Sequence, residues 1–165
     1  MTITLKAEPL TKERFAVYGD VIETSRDASD GMNDSRFERF DDLCHVDLIN
    51  DGKIAVSIAR CRTPTSLPLR LEMVERHPLG SQAFVPLSPS KMIIVVAPPV
   101  ASVDAGALRA FVSNGRQGIN YRRGTWHMPL ISLEEGQEYL IIDRGGNESN
   151  CDQHSLDEII FLEAD

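Results

Sequence analysis

Alternation of apolar and polar residues with a period of two runs through most of the chain. In KIAVSIARCR (53–62), Ile54, Val56 and Ile58 share one side and Ala55, Ser57 and Ala59 the other, the spacing of a half-covered strand. EMVERH (72–77) and QAFVPL (82–87) follow, separated by the turn residues PLGS. KMIIVVAP (91–98) is almost wholly apolar. Its β-branched run and bounding proline predict a strand buried on both faces, with a short buried helix as the other reading. YGDVIE (18–23) starts a strand, INYRRGTWHMPL (119–130) is a bent strand pair after the turn NGRQG, and QEYLIIDRGG (137–146) is a strand closed by two glycines. DAGALRAFVS (104–113) begins as a helical turn and ends as a strand, and SLDEIIF (155–161) is a terminal strand or helix. A short helix is expected within EPLTKERFA (8–16), capped by Thr11, whose hydroxyl can accept from an amide of the first turn. The polar stretch TSRDASDGMNDSRF (24–37) reads as a loop or flap. With one or two short helices among many short strands, the pattern predicts an all-β barrel or sandwich.

Composition sharpens this picture by exclusion. A chain of 165 residues fits one domain, 1–165, with a substantial core. The formal charge of −8 argues against nucleic acid or an anionic membrane as partner, so a small molecule is the expected ligand and any anion must be held by a few placed cations. Cys44, Cys61 and Cys151 are odd in number and widely spaced, which suggests neither a disulfide framework nor a zinc ribbon. No window approaches the ~20 apolar residues of a membrane span, and the start lacks a signal-peptide core. A cytoplasmic setting is expected.

The candidate chemistry lies in ERHPLGSQAF (75–84). Glu75 and His77 are two apart, so a strand projects them from one face. Gln82 opens the next strand after the turn and can fold back beside them, and His127 follows Gly124 by three residues. Two imidazoles, a carboxylate and an amide oxygen make a site for a borderline divalent ion such as zinc, nickel, manganese or iron(II). The alternative for Glu75 and His77 is an exposed polar strand edge; for Gln82 it is a side chain that orients a ligand. Arg60 extends the Ile54–Val56–Ile58 side by one step, which directs it inward as a clamp for a substrate carboxylate. Counting back from His127 by twos gives Arg123 and Tyr121 on the same side as further substrate-binding candidates. Asp143, in line with Tyr139 and Ile141, can orient a histidine or accept a proton.

The spacing of Glu75, His77 and Gln82, with Gly124 and His127, resembles the paired H-x-H-x(3,4)-E and P-x-G-x-x-H motifs of the cupin superfamily. A closer resemblance covers nearly the whole chain. YGDVIE, ERHPLGSQAFVPL, RAFVSNGRQGINYRRGTWHMPL and IDRGG, in that order, resemble the ureidoglycolate lyase family, known in older usage as ureidoglycolate hydrolase. The resemblance implies a cupin-like (RmlC-like jelly-roll) β-barrel, a homodimer, and cleavage of (S)-ureidoglycolate to glyoxylate and urea in allantoin degradation. The cupin motif resemblance sets Glu75, His77, Gln82 and His127 at the metal-ligand positions. For such an elimination His77, His127 and Asp143 are the catalytic candidates. No redox change is needed, so nickel or zinc would serve and no organic cofactor is expected. Two other classes stay open at this point: a different metal-dependent cupin enzyme such as a dioxygenase, and a non-catalytic cupin that binds a small acid.

Overall fold

The computed structural model describes residues 2–24, 28 and 31–164. Among them β-strands dominate. In chain order they are β1 (Thr2–Pro9), β2 (Gly19–Ile22), β3 (Gly31–Met32), β4 (Phe37–Glu38), β5 (Lys53–Arg60), β6 (Leu69–Arg76), β7 (Gln82–Pro86) and β8 (Met92–Ala97). They continue as β9 (Arg109–Val112), β10 (Gly118–Tyr121), β11 (Trp126–His127), β12 (Ile131–Ser132), β13 (Glu138–Gly145) and β14 (Asp152–Glu163). The short helix is α1 (Lys12–Phe15), and the Thr11 hydroxyl does accept from the Arg14 amide, at 3.3 Å. A 3₁₀ turn at Ala105–Ala107 leads into β9.

One sheet runs β11-β6-β14-β1-β9-β8, and β11 also pairs with β8, so the six strands close into a barrel; β12 is added alongside β8. The ring is mixed, because β1 runs parallel to both β14 and β9. A second, antiparallel sheet in the order β2-β10-β7-β13-β5 packs against it. The all-β barrel expected from the pattern is therefore present, and its arrangement is consistent with a cupin-like domain.

Strand β8 explains the placement of everything else. Ile93, Val95 and Ala97 point into one apolar cluster with Leu71, Val74, Trp126 and Leu162. Met92, Ile94 and Val96 point into the other, with Phe15, Phe84, Phe111, Ile119 and Tyr139. All six residues of β8 are buried, which is why its sequence is a continuous apolar run rather than an alternation. The same period carries through β11: Trp126, opposite Ala97, faces the first cluster, while His127, opposite Val96, faces the second. The space between the two sheets is thus where His127 lies.

Three expectations need revision. β1 was not foreseen. The stretch 24–37 is partly a hairpin of β3 and β4 with left-handed backbone at Asn33, Asp34 and Ser35; residues 25–27, 29 and 30 of that stretch lie outside the described residues. Strand β5 is turned the opposite way from the expected one. Ile54, Val56 and Ile58 are 60, 65 and 61% exposed, and the side carrying Ala55, Ser57 and Ala59 faces the space between the sheets. Alternation specifies which residues share a side but not which side is inward, and on the edge strand of this sheet the apolar side is outermost.

Candidate metal centre

Glu75 and His127 are directly opposed across β6 and β11, a register that puts the two side chains on one face. His77 lies one alternation beyond Glu75, just past the end of β6. The turn that brings β11 back is held by Gly124, whose φ of +82° suits a glycine and whose N–H donates to His77 O at 3.0 Å. One imidazole nitrogen from each of His77 and His127 and one carboxylate oxygen of Glu75 all lie within 4.8 Å of one another. The expected convergence of Glu75, His77 and His127 is observed.

The hydrogen bonds around the two imidazoles define which nitrogen is presented. His127 Nδ1 lies 3.0 Å from Thr125 O and His77 Nδ1 lies 2.7 Å from Asn150 O. A carbonyl only accepts, so each Nδ1 carries a hydrogen, and in a neutral ring Nε2 then holds the lone pair, the tautomer in which histidine binds a metal. His127 is 1% exposed. Its Nε2 is buried with no hydrogen-bond partner among the described residues, and it faces Glu75 Oε1 at 3.8 Å. Burial lowers the His127 pKa to about 3, the Thr125 carbonyl opposing that shift and His77 adding to it. The ring therefore stays neutral and its Nε2 stays bare throughout the physiological range.

Gln82 begins β7 and completes the cluster: its Oε1 lies 3.1 Å from His77 Nε2, and its Nε2 donates to Asp143 Oδ2 at 3.1 Å. Tyr121, opposite Gln82 on β10, stacks on His127 with ring centroids 4.1 Å apart and planes 12° from parallel. Burial, with a contribution from Glu75, raises the Tyr121 pKa, which keeps the phenol neutral. Two features of the site had no signal in the pattern. The Asn150 carbonyl fixes His77 while its side-chain oxygen accepts from Leu79 N at 2.7 Å, and the Cys151 thiol lies 3.6 Å from Glu75 Oε2. Cys151 is exposed, and partial desolvation, with the Glu75 carboxylate beside it, pushes its thiol pKa up.

The cationic candidates lie elsewhere. Arg60 is on the outer side of β5, ion-paired with Glu138 Oε1 at 2.6 Å, so the inward direction expected for it is corrected along with that of its strand. Arg123 stands beside Gly124, exposed, with Nε donating to Asp47 Oδ2 at 2.8 Å. Of the residues counted back from His127, Tyr121 is stacked under the ring while Arg123 is exposed and paired with Asp47.

The donor set fits a borderline divalent cation. Two imidazoles, one carboxylate and one amide oxygen suit zinc or nickel, and the buried, unpartnered Nε2 of His127 is costly without a cation to share.

Comparison with known proteins agrees with the geometry. The family model described as ureidoglycolate lyase matches residues 2–163. A ureidoglycolate lyase from Pseudomonas syringae pv. tomato is 46% identical over 156 residues, covering 94% of this chain and 91% of that protein. One from Pseudomonas putida (strain ATCC 700007) is 46% identical, covering 94% and 93%, and one from Pseudomonas aeruginosa (strain LESB58) is 44% identical, covering 94% and 92%. With a match across nearly its full length and relatives well above 30% identity, the chain belongs to the ureidoglycolate lyase family of enzymes.

Proposed function

We propose that this enzyme cleaves (S)-ureidoglycolate to glyoxylate and urea at the Glu75–His77–Gln82–His127 cluster. The observation that carries the reading is the convergence of one ring nitrogen from each of His77 and His127 with a Glu75 carboxylate oxygen within 4.8 Å in a chain of this family. Ureidoglycolate is a carbinolamide, with a carboxylate, a hydroxyl and a urea nitrogen on one carbon. Glu75, His77, Gln82 and His127 would hold a divalent ion, which would supply Lewis acidity to the substrate hydroxyl. The hydroxyl loses its proton, its oxygen forms the carbonyl of glyoxylate, and the C–N bond breaks with its electron pair going to the urea nitrogen, which takes up a proton. Of the side chains facing the site, Glu75 and Asp143 are carboxylates able to carry that proton. Asp143 gives Oδ2 to Gln82 and keeps Oδ1 for the transfer. Tyr121 and Thr125 hold the His127 ring in place, Tyr121 by stacking and Thr125 through its carbonyl. Arg123, exposed and paired with Asp47, is the cation we assign to the substrate carboxylate, reached by releasing that pair.

The reading extends to assembly and setting. The outer face of β5 and β13 presents Ile54, Val56 and Ile58 exposed, next to Leu140 and Ile142. A continuous apolar face on an edge strand calls for a partner, and a second copy of the chain forming a homodimer meets that need. Cys44, Cys61 and Cys151 are free thiols, as suits a reducing cytoplasm. No helix among the described residues is long and apolar enough to cross a membrane.

The test is to incubate the protein with (S)-ureidoglycolate and measure both products. Glyoxylate and urea should appear in equal amounts, chelation should abolish the reaction, and nickel or zinc should restore it. Oxygen uptake with iron(II), or substrate binding without product, would replace this reading.

A further inference from the structure

The hydrogen-bond chain behind the metal ligands does not close by itself. At one end the Asn150 carbonyl can only accept, so the 2.7 Å contact fixes the ring hydrogen on His77 Nδ1. At the other end the Asp143 carboxylate can only accept, so the Gln82 amide must turn its NH₂ toward Oδ2, 3.1 Å away. With a neutral His77 ring the middle contact, 3.1 Å between His77 Nε2 and Gln82 Oε1, then joins two lone pairs, which either a proton or a metal ion at Nε2 relieves. Turning the amide over repairs that contact but sets its oxygen against Asp143. With acceptors at both ends, the chain lacks one positive charge, and the carboxylate at 143 places the deficit at the gap between Nε2 and Oε1. One His77 ring nitrogen lies with the Glu75 and His127 ligand atoms, and with Nδ1 turned to Asn150 O we read that nitrogen as Nε2, the atom at the gap.

We infer that Asp143 is a positioning residue for the metal centre: through Oδ2 it holds the Gln82 amide with its oxygen toward His77, so that the cluster presents only acceptor atoms and requires a cation. The inference rests on the metal reading given above and adds the residue that makes Gln82 a ligand rather than a competitor. An uncharged donor at 143 removes the constraint. In Asp143→Asn, position 143 can donate to Gln82 Oε1, and the Gln82 NH₂ can turn to His77 Nε2. The chain then closes without any cation and one ligand oxygen is withdrawn, while Glu75, His77 and His127 are untouched.

Cobalt(II) titration, followed by visible absorption of the bound ion and by calorimetry, tests this on the full chain. Asp143→Asn should bind cobalt(II) about 10- to 100-fold more weakly than the unsubstituted protein, at an unchanged melting temperature. Asp143→Ser, smaller and also able to donate, should weaken binding similarly and supplies the measurement if the Asn variant does not fold. Gln82→Leu should weaken binding too, and adding Asp143→Asn to it should cost nothing further, because the relay is already cut. Unchanged affinity in both Asp143 variants overturns the inference. So does an undiminished loss on top of Gln82→Leu, which would mean that the Asp143 charge acts on the cation directly. Failure of the unsubstituted protein to bind cobalt(II), nickel(II) or zinc(II) overturns the metal reading and this inference together, an outcome distinct from the other two.

Discussion

Strands β5 and β13 show two faces of contrasting chemistry. Outward they carry Ile54, Val56, Ile58, Leu140 and Ile142; inward they carry Ala55, Ser57 and Ala59 opposite Asp143, Ile141 and Tyr139. The usual distribution would bury the first set and wet the second. Here the small inner side chains of β5 lie opposite Asp143, Ile141 and Tyr139, while its apolar outer ones are left exposed. Small inner residues and an uncovered apolar outer side are thus two results of one choice of strand orientation.

The largest test of this contrast is on the inner face. His77→Ala and His127→Ala should each lower kcat/KM by about 10³-fold or more while the far-ultraviolet circular dichroism stays β-dominated. Activity that survives both changes would move the site away from this face. Next comes the outer face. Val56→Asp puts a charge in the middle of the apolar stripe and should weaken homodimer association by on the order of 2 kcal/mol, about 30-fold, without altering metal content. Analytical ultracentrifugation reads this directly, and an unsubstituted protein that is monomeric at all concentrations would remove the partner from the comparison.

A smaller, pH-linked effect separates the faces again. The native His127 pKa of about 3 lies below its ordinary value of 6.5, so the unfolded chain binds this proton more readily than the folded one. Stability from this group is fully present above about pH 6.5 and is lost as pH falls toward 3, with a slope of roughly 1.4 kcal/mol per pH unit. Chelator-treated protein should show this slope in urea melts, and His127→Gln should flatten it. An unchanged slope in that variant would assign it to other groups. The smallest effect is expected on the outer face, where Arg60→Met removes an exposed ion pair with Glu138, worth less than about 1 kcal/mol. The variant should keep kcat/KM within about twofold. A hundredfold loss would bring the outer face into substrate binding.

The sequence made the site more legible than the orientation of its surroundings. Glu75 and His77 could be paired because two residues along a strand is a rigid spacing, and Gly124 marked the turn that returns His127. Tyr121 followed from the same count. Arg60 did not, since period two is symmetric between the faces and only the covering sheet decides between them. Asn150 and Thr125 act through backbone carbonyls, which every residue has, so no side-chain pattern announces them. In the fold, β8 was readable because burial on both sides leaves an uninterrupted apolar run. β1 was not, because TITLKAEP interleaves Lys6 and Glu8 with its apolar residues and becomes a strand through partners distant in sequence.

Those partners have a consequence for how the protein is made. β1 fits between β9 and β14, strands far from it along the chain. The ring cannot close until β14 has left the ribosome, and until then β1 and β6 each wait with an edge open. β6 carries Glu75, so one wall of the Glu75–His77–His127 cluster waits for the same strand. Such long-range parallel pairing makes for slow folding, and the nascent chain spends that interval with β-edges exposed to its neighbours.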